Sequence, residues 1–184
     1  PTTPPTKTKT INKITTKRSL NLADEITSLP NLLALNISHS KISGTIPQEM
    51  FNLLDRLDSL DLKNNQLTGT IPERTILTVN PGLRNIDVGL NQLTGTFPLF
   101  RKIESVNFEK NSLTSIDGHY STMVRSMRRF KGFHNALAGP LPSTWNLPNL
   151  IELDLGYNFL TGTIPNDLWN LPSLKTLWLD HCNL

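Results

Sequence analysis

Two acids and three imidazoles have types and places in this sequence that could do chemistry. Asp61 and Asp87 lie 87 − 61 = 26 residues apart. A carboxylate pair held ~5 Å apart can serve as nucleophile and acid in a retaining glycoside hydrolase. His39, His134 and His181 could ligate zinc if they converged on its ~2 Å bonds. Cys182 is the single cysteine, so neither an internal disulfide nor a cysteine-based zinc site can form. The sequence has no phosphate loop and no dinucleotide fingerprint. No histidine has a serine and an acid at triad spacing. Whether these groups meet depends on the elements that carry them.

Those elements repeat. The stretch NNQLTGTIP at 64–72 returns as NQLTGTFP at 91–98 and NFLTGTIP at 158–165. Each copy extends upstream into a frame L-x-x-L-x-L-x-x-N-x-L. The frame begins at Leu32, Leu57, Leu83, Ile103, Met127, Leu150 and Leu174, so the spacings are 25, 26, 20, 24, 23 and 24 residues. Alternation in L-x-L predicts a short strand with two side chains inward. Seven parallel strands are expected, over Ala34–Ile37, Ser59–Leu62, Asn85–Val88, Ser105–Phe108, Arg129–Gly132, Glu152–Leu155 and Thr176–Leu179. Asn65, Asn91, Asn111, Asn135 and Asn158 follow the strands, where an inward carboxamide can bond backbone groups of neighbouring turns as a ladder. Ser40 and Cys182 take that position in the first and last copies. Gly44, Gly69, Gly95, Gly139 and Gly162 permit the bend that follows. One coil cannot bury its own apolar side, so the coils must stack.

This frame resembles the leucine-rich repeat family, and the trailing L-T-G-x-I-P is similar to its plant-type subclass. The resemblance covers Leu29 to Leu184. It implies an α/β-type repeat solenoid: a right-handed coil with a parallel β-sheet on the concave face and an irregular, 3-10 or short-helix convex side. It also implies relatives among receptor-like proteins, receptor kinase ectodomains and polygalacturonase-inhibitor-like secreted proteins. The fourth copy lacks the Gly-x-Ile-Pro corner, so an irregularity is expected between about Pro98 and Met127. Residues 1–12 read as a disordered Pro/Thr/Lys linker, 13–31 as a degenerate first coil or N-terminal cap, and 32–184 as the array. The chain stops inside the seventh motif, so the expectation is a C-terminally truncated array from a longer protein. Its exposed end is expected to associate.

The third, fifth and seventh residues of each frame face outward, with neighbouring strands ~4.8 Å apart. Asp61 and Asp87 then lie side by side on an open sheet, which offers no pocket to desolvate one acid. The histidines share the eighth position, and the nearest two are two strands apart, ~10 Å, too far to share a metal. Neither a catalytic residue nor a cofactor or metal is assigned. Asp58, Arg84, Glu104 and Arg128 alternate in sign at the second position and read as cross-strand pairs. Trp145 and Trp169 are expected in the core. The expected ligand face is Arg129, Lys131, Phe133 and His134 beside Glu152, Asp154 and Tyr157, then Trp178, Asp180 and His181, because aromatic side chains and arginine dominate binding hot spots. Asn36-Ile37-Ser38 is a glycosylation sequon.

The bulk numbers agree with a binding module. The chain has 184 residues, 37% apolar and 18% charged, and a net charge of +3. Lys7, Lys9, Lys13, Lys17 and Arg18 carry that excess without a neighbouring acid. No apolar run reaches the ~18 residues a membrane span needs. The expected partner is a protein, peptide or glycan at the cell surface or outside the cell, not nucleic acid, with any membrane anchor or kinase outside this segment. A stacked Thr-Gly-Thr array that binds ice, or a secreted inhibitor of cell-wall-degrading enzymes, is the alternative.

Overall fold

The computed structural model describes residues 10–11, 32–53, 57–72, 82–98, 100, 102–116 and 124–184. The linker and degenerate-coil segments fall outside these residues, apart from Thr10 and Ile11. Each L-x-L alternation forms a strand: β2 Ala34–Asn36, β4 Ser59–Asp61, β6 Asn85–Asp87, β8 Ser105–Asn107, β10 Arg129–Lys131, β12 Glu152–Asp154 and β14 Thr176–Trp178. All seven start at the expected residue and end one residue earlier. They pair in parallel in sequence order, and β1 (Thr10–Ile11), inside the segment read as a linker, adds an eighth strand beside β2.

The inward residues build one continuous core. Leu35, Leu60, Ile86, Val106, Phe130 and Leu153 are buried, as are Ile37, Leu62, Val88, Phe108 and Leu155. In the fifth coil Gly132 occupies the place of the second inward side chain, and the ring of Phe108 takes up the space. A Cβ on Gly132 would meet that ring at 2.5 Å. Phe108 stacks on Phe97 at 4.6 Å and meets Phe130 edge-on at 5.4 Å. These aromatic rings fill the core where the copies are least regular.

The Thr-Gly-Thr corner is more than a bend. Ser43–Thr45 (β3), Gln66–Thr70 (β5), Gln92–Phe97 (β7) and Ser112–Ile116 (β9) form a second parallel sheet of four strands, while Ala138–Pro140 (β11) and Phe159–Thr161 (β13) pair separately. This corrects the expectation of a turn alone. The glycines keep positive φ, +81° at Gly95 for example, so β5 and β7 bend at Gly69 and Gly95 while their backbones still pair with the next coil. The sheet is interrupted between β9 and β11, and the β7–β9 register already shifts at Gly95/Thr96. Both breaks lie in or beside the segment expected to be irregular.

Beyond the corner the chain re-enters through Pro and then faces inward three residues later. Met50, Trp145 and Leu168 hold this place after Pro47, Pro142 and Pro165. Met50 and Leu168 are buried, and Trp145 packs partly buried against the core. Trp169, one residue further on in the short helix Asn166–Trp169, is 63% exposed. The core assignment of Trp169 is therefore corrected: the helix turns Leu168 inward and its neighbour outward.

Candidate functional site

Each strand of the main sheet ends in a fixed local geometry. At the fifth position Asp61, Asp87, Asn107 and Asp154 turn an Oδ1 back to accept the amide of the residue two further on, at 3.0, 2.9, 3.0 and 3.2 Å. Asn36 does the same for Ser38, whose hydroxyl also donates to it at 2.8 Å. The next corner position is left-handed in every copy. His39, Asn64, Leu90, Lys110, His134, Tyr157 and His181 all have φ between 52° and 55°. In the first six of these the amide donates across to the following coil, as from His134 to Gly156 at 2.9 Å. The left-handed backbone of this column was not legible beforehand, because its residue types share nothing but their place in the frame.

The asparagines sit just inside. Asn65, Asn91, Asn135 and Asn158 are buried. Asn91 donates to Leu62 O and Val88 O, both at 3.0 Å, and accepts Leu67 N–H at 3.0 Å. Asn111 donates to Val88 O at 3.0 Å and Phe108 O at 3.1 Å. Cys182 in the same position donates its thiol to Leu155 O at 3.4 Å.

On the outer face of coils two to four, Arg84 and Lys63 pair with acids of other coils. Arg84 bridges Asp58 at 3.2 Å and Glu104 at 2.6 Å. Lys63 crosses over Gly89 to reach Glu109 at 2.8 Å, where a Cβ on Gly89 would stand 3.1 Å from Glu109 Cγ. This crossing was missed, although a glycine between opposite charges in one column is a readable sign. Burial works against the Glu109 carboxylate, but its hydrogen bond to Lys63 prevails and carries it below the usual range. The same hydrogen bond raises Lys63. Asp87 beneath them is raised, mainly by burial. Asp61 and Asp87 are register partners, but each has its Oδ1 tied to backbone.

Coils five to seven are different. Arg129 and Lys131 on β10 both turn to Glu152 on β12, at 3.6 and 2.8 Å. Phe133 meets the Tyr157 ring edge-on at 5.1 Å. Tyr157 stacks between two histidines, 6.2 Å from His134 at 8° and 3.8 Å from His181 at 21°. His181 Nδ1 contacts Asp180 Oδ2 at 3.0 Å. Trp178 is 44% exposed and its register partner is Asp154. Burial raises the Asp154 carboxyl. The ten side chains expected at the ligand face thus lie on three adjacent coils. A cavity of about 640 Å³ lies elsewhere, at the break in the second sheet, lined by core residues such as Met127, Leu137 and Trp145. None of the ten faces it.

Leucine-rich repeat models match residues 142–184 and residues 31–53 with 56–75. Receptor-like protein 43 of Arabidopsis thaliana is 33% identical over 129 residues, which cover 68% of this chain and 17% of that protein. Receptor-like protein 32 of the same plant is 29% identical over 155 residues, covering 80% of this chain and 17% of its own length. The solved ectodomain of the Arabidopsis receptor kinase HAESA, in complex with an N-terminally extended IDA peptide hormone, superposes with a TM-score of 0.75. It shares 28% identity over 85% of this chain and 27% of its own. The chain belongs to the leucine-rich repeat family. Its repeats are of the plant type, and the main sheet is the concave face of the leucine-rich repeat solenoid. The chain spans 17% of the length of these curated relatives.

Proposed function

We propose that this leucine-rich repeat segment is a non-catalytic recognition module of a cell-surface or extracellular protein, and that coils five to seven of its concave face bind a peptide or protein. One observation carries the reading. Trp178 and Tyr157 are exposed there, at 44% and 41%, among charges of both signs, whereas coils two to four expose no large aromatic side chain among the described residues. Large aromatic side chains contribute most to affinity when a partner covers them. The peptide complex of the HAESA ectodomain and the receptor-like curated relatives support the same reading.

Ice binding by the Thr-Gly-Thr ranks is the weaker reading. Thr68, Thr94 and Thr114 donate their hydroxyls to glycine carbonyls of the preceding coil, each at 3.3 Å. The sheet then breaks before Ala138 and Pro140. The rank of Thr68, Thr94 and Thr114 is therefore hydrogen-bonded within the protein and does not continue past the break.

A randomised decapeptide library displayed on phage can be panned against the chain, and the recovered peptides titrated calorimetrically. Trp178→Ala should weaken them by about 2 kcal/mol, while Asn64→Ala changes little. Equal losses in both variants, or a loss at Asn64 alone, would place the site elsewhere.

A further inference from the structure

On the strands of coils five to seven the cations stand at one end and Asp154 and Asp180 at the other, with Lys175 ahead of the last strand, whereas in coils two to four Arg84 and Lys63 each pair with an acid of another coil. Arg128, Arg129 and Lys131 lie on coil five, and Glu152 answers both Arg129 and Lys131. Among the described residues no carboxylate lies within the 4.0 Å ion-pair distance of Arg128. Further along, among the described residues, Asp154 and Asp180 have no lysine or arginine within that distance, and Asp180 contacts the His181 imidazole. Gly156 separates these two acids. A Cβ there would come within 2.6 Å of Asp180 Oδ1, so the missing side chain leaves a notch into which the Asp180 carboxylate leans. Tyr157 and Trp178 stand exposed on either side. Asp154 is a carboxylate that burial already disfavours, and an arriving cation would relieve it.

The spacing follows from the sheet. Arg129, Glu152 and Thr176 are register partners on adjacent strands, as are Lys131, Asp154 and Trp178. With strands ~4.8 Å apart and a rise of ~3.3 Å per residue, Arg129 lies ~8 Å from Asp154 and ~16 Å from Asp180 along a diagonal. An extended chain covers that span in about three to five residues. We infer that coils five to seven take an extended peptide segment bearing an Asp or Glu and a Lys or Arg about three to five residues apart. Its acid lies over Arg128 and Arg129, and its cation lies between Asp154 and Asp180 beside the aromatic rings. Like charge against like suppresses the opposite placement, and a guanidinium there gains from the exposed ring of Trp178.

This rests on the reading of the face as a peptide site, and the test separates the two. Peptides recovered from the decapeptide library are sequenced and measured by fluorescence anisotropy against the chain, Arg128→Glu, Asp180→Lys and the double variant, each checked for fold by circular dichroism. The recovered peptides should share the acid–base pair at that spacing. Each single reversal should weaken binding at least about tenfold, and the double reversal should bind the same peptide with its acid and base exchanged. Peptides that need Trp178 yet lack the pair, or that ignore both reversals, would overturn the charge order and leave the peptide site standing. Recovery of no peptide at all would remove both.

Discussion

Asn91 shows what a single side chain does in this array. Its amide satisfies two carbonyls and one amide where no strand partner is available, and it joins the second coil to the third. Replacing it with alanine leaves the Leu67 N–H unpaired, while Leu62 O keeps its bond from Asn65 and Val88 O its bond from Asn111. An unpaired buried group costs about 1–3 kcal/mol, so Asn91→Ala should lower unfolding free energy by about that much. Urea denaturation followed by circular dichroism checks this, and a loss of a few tenths would mean the ladder carries no load. The ladder was legible from the sequence because only a small carboxamide both donates and accepts there. The left-handed column beside it was not. Histidine, leucine, lysine and tyrosine pay about 1–2 kcal/mol for that backbone relative to glycine, and nothing in their chemistry announces the position. The error at Trp169 is of the same kind: size argued for burial, but the helix phase after Pro165 turned Leu168 inward instead.

At the scale of elements, the seven main strands could be read because L-x-L alternation names both the strand and its buried face. The second sheet could not. Gly is unfavourable inside strands, so Thr-Gly-Thr reads locally as a turn, and its partners lie a whole repeat away. What makes it a sheet is stacking: once the coils are in register at the ladder, the corner backbones are brought side by side. Two glycines separate backbone strain from contact. Gly95 has φ +81° and a Cβ would lie 2.9 Å from Thr70 Cγ2, whereas Gly139 has φ +90° with nothing within 4 Å. Gly139→Ala should cost about 1 kcal/mol from the backbone alone, and Gly95→Ala about 2 kcal/mol because Thr70 must also move. Thermal melts of both variants measure the difference, and equal shifts would show that the strands do not pack at the distance described.

Across the whole molecule, Lys63 and Arg84 pair with acids of other coils at one end of the concave face, while at the other Asp154 and Asp180 have no lysine or arginine within ion-pair distance among the described residues. The paired end makes a prediction in pH. Glu109 is held below its ordinary range by Lys63, so its contribution is fully present above the unfolded value and is lost as pH falls through the depressed one. Lys63 is raised, so its contribution persists to high pH and disappears only as pH climbs through that raised value. Glu109→Gln should therefore cost about 0.5–1 kcal/mol at neutral pH, allowing for solvent screening, and almost nothing in strong acid. Chemical denaturation of both proteins at pH 7 and pH 3 checks the sign. The candidate site was legible as a set of residues, because the frame alone assigns outward positions. Its electrostatics were not: that Glu152 takes two cations and leaves Asp154 and Asp180 without one depends on side-chain reach, which spacing does not encode. The most direct test of recognition by coils five to seven is photo-crosslinking. A library-selected peptide carrying benzoylphenylalanine is irradiated with the chain and the adducts are located by mass spectrometry. Cross-links within residues 128–181, concentrated near Tyr157 and Trp178, are the predicted result; adducts on coils one to four or on the second sheet would contradict it.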